Sequence, residues 1–382
     1  YDPAMHGTDW KAMRDRYAEI LPFMSTRSDL DYLLTELGGE LSAGHVYVQP
    51  GNDPGPERVE NGLLGAEVEP HSSGYYRVTR IFPGENWHAN FRSPLTEPGV
   101  NVKVGHYILA VDGQPTAKVD NFYRLLQNKA DRVVTLLVNS EPTTKGAWEE
   151  RVRPVSSEQN LRYLDWVQET RAKVEKASGG RIGYIHMPNT AVEGNRELFK
   201  YFYPQANKEA LILDDRYNGG GFIPDRMMEL ISRPRFNYWV NRGGTTFTSP
   251  GFVNTGPKVA LINGQAGSGG DAFPYYFKQL GLGPLIGTTT WGGLIGLSGN
   301  PPLVDGGSLS PPTFRVLSNE GEWVVENEGV KPDIEVVDRP DALARGEDPT
   351  LEAGIQYLLK ELEKNPAKKV VVPPPPKGGA PR

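Results

Sequence analysis

The chain has 382 residues, a net charge of −6 and no cysteine, and 38 % of its residues are hydrophobic. This length predicts two or three domains, and the hydrophobic content is sufficient for a packed core, which excludes wholesale disorder. The slightly acidic charge gives no reason to expect a nucleic-acid partner. The absence of cysteine excludes disulfides, thiolate zinc sites, iron–sulfur clusters and cysteine nucleophiles.

The first residues carry no signal-peptide pattern, and the chain opens with Tyr1 rather than Met. This start is typical of a processed or truncated chain. No window approaches the 18 uninterrupted apolar residues of a membrane-spanning helix. We therefore expect a soluble protein without a membrane partner.

Two amphipathic helices are predicted at the start of the chain. Trp10, Met13, Tyr17 and Leu21 recur at helical spacing, and a second apolar run begins at Ser28, with Asp31 three residues on. Beyond this second helix the chain passes through a Ser-Ala-Gly-His segment, residues 42–45, into an extended run at 46–48. Residues 1–60 are thus predicted as a helical region, with His45 at a helix-to-strand junction.

Residues 61–154 are predicted as a β-rich domain. Apolar runs typical of strands cover 75–81, 107–111 and 132–138, and one short helix is expected at 121–127. Gly62-Leu-Leu-Gly65 resembles the carboxylate-binding loop of a PDZ domain, and residues 105–113 resemble its hallmark strand and turn. That resemblance implies a module that binds an extended chain on a sheet edge and its carboxylate on backbone NH groups.

Residues 155–364 show strands alternating with helices, which predicts an α/β domain. One strand, 211–213, leads into the triple glycine Gly219 to Gly221, and another, 259–262, leads into Gly267-Ser-Gly-Gly270. In a parallel sheet both glycine corners would lie at the carboxyl edge. The Lys- and Pro-rich residues 365–382 are predicted to form a mobile tail.

Ser268 is the candidate nucleophile. A strand, a glycine-rich corner and a helix form a geometry that exposes one side chain at a helix N-terminus, beside converging backbone NH groups. On pattern alone a plain glycine turn competes with this interpretation. A phosphate-binding loop is disfavoured because no Lys follows Ser268 before Lys278.

A serine nucleophile needs a base. Of the six histidines, His45 is favoured by its position beside glycine at a junction, whereas His106 and His186 lie in apolar strand patterns typical of packed residues. A Ser-Lys pair is the alternative, but no Lys occurs between Lys278 and Lys331. Histidine is therefore the preferred base.

Several ordered motifs together resemble the C-terminal part of the tricorn protease family. They extend in order over residues 1 to about 362, and they include the following blocks: 1–10, 39–45, 215–222, 266–271, 287–293 and 325–333. A more distant resemblance is to C-terminal processing proteases, which share the PDZ domain and the α/β core but use a Ser-Lys pair. The family implies a ClpP/crotonase-like α/β serine peptidase domain, and hence a multi-domain α/β protein.

The resemblance also assigns roles to residues. It places the nucleophile at Ser268, the general base at His45 and the supporting acid at Glu326, at the end of a strand predicted at 323–326. It implies oxyanion donors at the backbone NH groups of Gly221 and Gly269, and substrate contacts at Gly220, Tyr238 and Trp239. It implies peptide substrates, a homohexamer and a cytoplasmic location, with no metal or cofactor.

The sequence departs from the family at two positions. A serine usually precedes the catalytic His in this family, whereas Gly44 stands here. We expect either that Ser42 or a water bridges Glu326 to His45, or that the acid matters less. An acidic residue in the archaeal enzyme favours basic substrate side chains, whereas residues 236–241, which match that stretch, contain no acid. We therefore expect an uncharged or apolar preference on the acyl side.

Two other functions compete with a peptidase. A catalytically weak or inactive PDZ scaffold would bind chain ends without hydrolysis, since a fold can outlive its activity. A crotonase-type acyl-thioester enzyme would use a related core with a paired-NH oxyanion hole, but a PDZ-like insertion has no obvious use there.

Overall fold

The computed structural model describes residues 2–51, 55, 58–222, 224–366 and 370–374. The chain forms two compact units, the first made of residues 1–53 and 171–382 and the second of residues 54–170. The second unit reaches residue 170, whereas the sequence predicts a boundary at 154.

The chain opens with helices α1 (Trp10–Ala18) and α2 (Arg27–Gly39), followed by strand β1 (Tyr47–Gln49). The prediction of two helices before a strand is confirmed. The start of α2 differs from the prediction, because Thr26 rather than Ser28 caps the helix: the hydroxyl of Thr26 accepts from Asp29 N at 3.1 Å, and the carboxylate of Asp29 accepts from Thr26 N at 2.8 Å. This capping box satisfies two donors of the first turn.

The second unit contains an antiparallel sheet in the order β2-β3-β4-β6-β7, with β5 paired to β4. Its strands are β2 (Ala66–Pro70), β3 (Tyr76–Ile81), β4 (Tyr107–Val111), β5 (Gln114–Pro115), β6 (Val134–Asn139) and β7 (Trp148–Val152). The helix predicted at 121–127 is a 3-10 helix at Phe122–Leu126. The inward side chains of these strands and of the 3-10 helix form one core, in which Val78, Ile108, Leu126, Val134, Leu136 and Val138 have no exposed surface.

Short 3-10 helices also occur at Met5–Gly7, Leu21–Phe23, Ala89–Phe91, Pro94–Thr96 and Thr116–Lys118. The remaining helices are α3 (Gln159–Ser178), α4 (Val192–Gln205), α5 (Pro224–Ile231), α6 (Gly269–Gln279), α7 (Pro340–Ala344) and α8 (Pro349–Lys364). The remaining strands are β8 (Ile182–His186), β9 (Ala210–Asp214), β10 (Asn237–Val240), β11 (Thr246–Ser249), β12 (Lys258–Ile262), β13 (Leu285–Gly287), β14 (Gly296–Leu297), β15 (Ser308–Ser310), β16 (Pro312–Phe314) and β17 (Ile334–Glu335).

The first unit is built on a parallel sheet in the order β17-β13-β12-β9-β8. Strands β8, β9 and β12 are buried along their whole length, as expected for parallel strands covered on both faces. Because β9 and β12 are neighbours and parallel, the glycine corners that follow them lie at the same carboxyl edge. This predicted placement is confirmed.

Three two-stranded antiparallel sheets accompany the parallel sheet: β1 with β15, β10 with β11, and β14 with β16. The prediction of a strand at 323–326 is wrong. Trp323 forms only an isolated bridge with Leu317, and the chain then turns through Val325 and Asn327, whose φ angles are +73° and +63°. Left-handed residues on both sides of Glu326 interrupt an extended segment.

A buried ion network holds the end of β9 to the C-terminal segment. The guanidinium of Arg216 donates to Asp214 at 2.8 Å and to Asp348 at 2.7 Å. Burial disfavours the positive charge of Arg216, but the two carboxylates outweigh burial and leave its pKa raised. Removing one partner would leave an uncompensated buried charge, which typically costs several kcal/mol, about 3 to 5.

Helix α8 ends at Lys364, where the predicted α/β domain ends. The tail predicted at 365–382 lies largely outside the described residues. Among the helices in the described part of the chain, none is long and apolar enough to span a membrane.

Candidate active site

A cavity of about 490 Å³ opens beside the two glycine corners of the first unit. Its lining includes His45, Gly221, Ser268 and Gly269, which come from three distant parts of the chain. The predicted nucleophile, base and oxyanion donors are thus brought together around one space. Their assigned roles remain proposals.

Ser268 precedes α6 in a strained backbone conformation, with φ +57° and ψ −113°. Positive φ is costly for a residue with a Cβ and is concentrated at functional sites. The glycines beside it leave no room for a side chain. A Cβ on Gly267 would lie 2.6 Å from the Trp291 ring, and one on Gly270 would lie 2.7 Å from Asn218 O. The hydroxyl therefore stands at a helix N-terminus among bare backbone.

Asp271 holds this strained corner from inside the protein. Its fully buried carboxylate accepts from Ser268 N at 2.8 Å, from Gly292 N at 2.8 Å and from the hydroxyl of Thr290. Burial raises the pKa of Asp271, although these hydrogen bonds oppose the rise. The sequence analysis missed this residue, yet the Ser-x-x-Asp spacing of a capping box at 268–271 was a signal for it.

The backbones of Gly221 and Gly269 lie close together at the cavity. A Cβ built on Gly269 would be 2.8 Å from Gly221 N and would collide with the hydroxyl of Thr190. Within the described residues, neither NH donates a hydrogen bond to another protein group. Unused backbone NH groups that line the same cavity as a serine are the donors that an oxyanion needs.

Gly220 lies beside Gly221 and packs closely against the corner that carries Ser268. Its φ is +87°, and a Cβ there would lie 2.7 Å from the Cβ of Ser268 and 3.0 Å from Gly267 O. Only glycine fits both the conformation and the space. The two corners are also tied directly, since Gly267 N donates to Asn218 O at 3.0 Å.

His45 also lines the cavity, and its φ is +59°. Its ring packs edge-on against Trp291 and Tyr47, with centroid distances of 5.5 and 6.1 Å. Nδ1 is buried and, within the described part of the chain, has no hydrogen-bond partner. Burial lowers the pKa of His45, while the nearby carboxylates of Glu326 and Asp271 oppose this shift.

Glu326 is near His45 but does not hydrogen-bond to its ring. The carboxylate, 6 % exposed, accepts from Gly44 N at 2.7 Å, from Leu294 N at 2.9 Å and from Ile295 N at 3.0 Å. Its contacts therefore hold the backbone beside His45 and one wall of the cavity. The predicted bridge through the Ser42 hydroxyl does not occur among the described residues. There the Ser42 NH donates to Gly39 O at 2.9 Å, and the Ser42 carbonyl accepts from the side chain of Asn327 at 2.7 Å.

The rest of the cavity wall is uncharged and largely apolar. It comprises Phe222, Pro224, Ala272, Tyr276, Leu294, Leu297, Leu309, Phe314 and Val316, together with small polar residues of segments 296–300 and 308–310. Among the described residues of this lining, His45 is the only side chain of a type whose ordinary pKa lies near neutral pH.

The structure does not bring Tyr238 and Trp239 to this cavity. Both lie on the β10–β11 hairpin, where Trp239 is 55 % exposed and stacks on Phe247, and Tyr238 lines a separate cavity of about 760 Å³ beside Arg235. The match of residues 236–241 to the substrate pocket thus has no support from the lining of the cavity.

The described residues contain no cluster of three His, Cys, Asp or Glu side chains able to hold a metal ion. The chemistry available in the cavity comes from a hydroxyl, an imidazole and backbone NH groups. These groups suit acyl transfer.

Three family models match the chain. The model described as tricorn protease C1 domain matches residues 1–39, the tricorn protease PDZ domain matches 62–157, and peptidase family S41 matches 181–336. Together they cover the N-terminal helices, most of the second unit and the parallel sheet with the loop that carries Ser268.

Similar proteins match over nearly the whole chain. Tricorn protease homolog 1 of Streptomyces coelicolor is 38 % identical over 95 % of this chain, and the tricorn protease of Thermoplasma acidophilum is 32 % identical over 91 %. The crystal structure of the tricorn protease superimposes with a TM-score of 0.85 and 31 % identity over 92 % of this chain. The chain covers 34, 32 and 34 % of these proteins, respectively, which is about a third of their length.

Proposed function

We propose that this chain, which belongs to the tricorn protease family, hydrolyses peptide bonds through an acyl-enzyme on Ser268. The observation that carries the proposal is the single cavity that unites a strained serine, two unused NH groups and a half-buried histidine. Each of these features is costly for the fold, and acyl transfer needs all of them.

In this mechanism His45 removes the proton of Ser268 as the hydroxyl oxygen attacks the scissile carbonyl. The NH groups of Gly221 and Gly269 stabilise the oxyanion without reorganisation, since they are already fixed at the two corners. The imidazolium then protonates the leaving amine. Water, deprotonated by His45, attacks the acyl-enzyme, and the acid product leaves as Ser268 regains its proton. No metal or cofactor takes part.

Glu326 acts in this proposal mainly by position and charge. Its hydrogen bonds fix the backbone at Gly44, directly before His45, and its negative charge stabilises the imidazolium that forms during the reaction. Asp271 is a second positioning residue, because it holds the NH of Ser268 and the loop that carries Trp291.

The lining also supports peptides with an uncharged, apolar side chain beside the scissile bond. A Lys or Arg side chain would enter a wall without a carboxylate and lose hydration without compensation. Matched peptides that differ only in Phe, Leu, Lys or Arg at that position test this: kcat/KM should be highest for Phe and Leu. The opposite ranking would remove the substrate proposal and leave the peptidase proposal intact.

Labelling with a fluorophosphonate tests the peptidase itself. The reagent should form one stable adduct on Ser268, located by mass spectrometry, because the oxyanion NH groups and His45 activate this hydroxyl. His45→Ala should abolish the adduct. Absence of labelling, under conditions that modify a control serine hydrolase, would favour the non-enzymatic scaffold.

The pH dependence of kcat/KM should report His45. Because burial lowers its pKa, the neutral form that accepts a proton persists below the ordinary value of 6.5, so the acidic limb should have its midpoint below 6.5. Glu326→Gln removes a charge that raises this pKa and should shift the midpoint further down. Glu328→Gln, at an exposed neighbour, should not move it, and an unchanged midpoint in Glu326→Gln would contradict this electrostatic role.

Gly44→Ser should increase kcat/KM by about three- to tenfold. A Cβ at Gly44 would lie 3.1 Å from both Glu326 Oε1 and Gly293 Cα, so these neighbours must shift slightly. A hydroxyl on that Cβ is expected to donate to the Glu326 carboxylate and accept from the unpartnered Nδ1 of His45. Gly44→Ala adds the same Cβ without the hydroxyl and is the matched control. A serine variant no faster than the alanine variant would show that this bridge contributes nothing.

We also propose that the protein forms a homohexamer and is located in the cytoplasm. Both proposals rest on the family alone. Light scattering on a size-exclusion column measures the mass directly. A monomer at micromolar concentration would refute the assembly without affecting the chemistry proposed for Ser268.

A further inference from the structure

We infer that Glu158 is the resident ligand of the carboxylate-binding loop in the second unit and closes that loop to free chain ends. Its Oε1 accepts from Gly65 N at 2.8 Å and from Ala66 N at 3.2 Å. All three residues belong to the unit formed by residues 54–170. The inference concerns this unit only and does not depend on the chemistry proposed at Ser268.

The loop is built to bind a carboxylate on bare backbone. Gly65 has a φ of +71°, and a Cβ there would lie 2.9 Å from the hydroxyl of Ser93 and 3.1 Å from Pro94 Cδ. This conformation turns two successive NH groups toward one point, where they bind a single oxygen. Strand β2 begins at Ala66 and pairs only with β3 within the described sheet, so the loop leads into a free strand edge.

Such an edge beside a pair of NH groups has the features that capture an extended peptide and its terminal carboxylate. Here the carboxylate of Glu158 takes that position. The second oxygen, Oε2, accepts from Arg162 Nη2 at 2.9 Å and from Nε at 3.2 Å. With one oxygen on backbone NH groups and the other on a guanidinium, both oxygens of Glu158 are bound.

Arg162 is itself fixed in place. It donates to Glu67 in β2 at 3.2 Å and lies 4.5 Å from the centroid of the Phe82 ring. Glu158 is only 6 % exposed, so it sits in the low-dielectric interior where a charge-assisted hydrogen bond is strong. An incoming peptide carboxylate would have to displace a paired, buried carboxylate and deprive Oε1 of both its backbone donors.

The start of helix α3 adds an apolar cover to the loop. Glu158 directly precedes the helix, and the Leu161 side chain lies against the loop, 3.2 Å from the position of a Cβ on Gly65. Leu161 is almost fully buried. The loop therefore anchors the first turn of α3, in place of an external peptide.

Fluorescence anisotropy on the full chain tests this inference with two labelled peptides. Both have the same sequence ending in Leu, one with a free carboxylate and one with a carboxamide. The wild-type protein should bind the two with less than a twofold difference in Kd. Glu158→Ala frees the two NH groups and should bind the carboxylate form at least about tenfold more tightly than the amide form. Glu149→Ala, an exposed residue on the opposite edge strand β7, is the matched control and should behave like the wild type.

Two results would overturn the inference. The first is a tenfold preference of the wild-type protein for the carboxylate peptide, and the second is a folded Glu158→Ala variant without any preference. If that variant does not fold, hydrogen exchange of the wild-type protein tests whether Glu158 occupies the loop. The NH groups of Gly65 and Ala66 should then exchange as slowly as those paired within β3, and fast exchange would refute a resident ligand.

Discussion

Ser268→Ala should reduce kcat/KM toward model peptides by at least about four orders of magnitude. Among the described residues that line the cavity, Ser268 carries the hydroxyl at the N-terminus of α6, and it shares this lining with Gly221 and Gly269. Alanine keeps the backbone and removes only one oxygen, so the thermal unfolding midpoint should change little. Any activity that remains should come from binding and from the oxyanion NH groups acting on water.

Steady-state kinetics measure kcat/KM, and a melting curve measures the thermal unfolding midpoint. His45→Ala should lose a similar factor, and the double variant should lose no more than either single variant, because nucleophile and base act as one unit. Additive losses would contradict this coupling. A Ser268→Ala variant that retains more than a hundredth of the wild-type rate would place the nucleophile elsewhere.

The sequence was sufficient to predict the elements that position the site. Glycine corners after buried strands are encoded locally, so the edge shared by Gly220 and Ser268 follows from the parallel order of β9 and β12. His45 was singled out by its helix-to-strand junction. Its packing against Trp291 depends on the fold and has no local pattern.

Features set by long-range contacts were not predictable from local patterns. Glu326 reads as a strand end, yet it lies in a turn, and its three donors come from segments 282 to 31 positions away in sequence. Glu158 has the local pattern of an ordinary acid before a helix, although the two backbone NH groups that it binds lie 93 and 92 positions away in sequence. In both cases a carboxylate is buried because backbone NH groups from other elements converge on it.

Gly269→Ala should lower kcat by about two to three orders of magnitude, the effect typical of losing an oxyanion donor. A methyl group at this position would collide with the hydroxyl of Thr190 and lie 2.8 Å from both Gly221 N and Gly221 O. This crowding should displace the Gly221 and Gly269 backbones, and with them the two NH groups proposed to bind the oxyanion. The Ser268 hydroxyl and the His45 ring are untouched, so the variant should still react slowly with a fluorophosphonate at Ser268.

Gly219→Ala is the matched control, because it lies at the same glycine corner but a methyl there would meet only Pro188 O, at 3.8 Å. Its φ is not in the left-handed region, so alanine fits the backbone as well as the space. Steady-state kinetics should therefore separate the two alanine variants by at least about a hundredfold in kcat. Equal rates would mean that the Gly221 and Gly269 NH groups do not bind the oxyanion, since crowding them would then have had no more effect than adding a methyl group to open space.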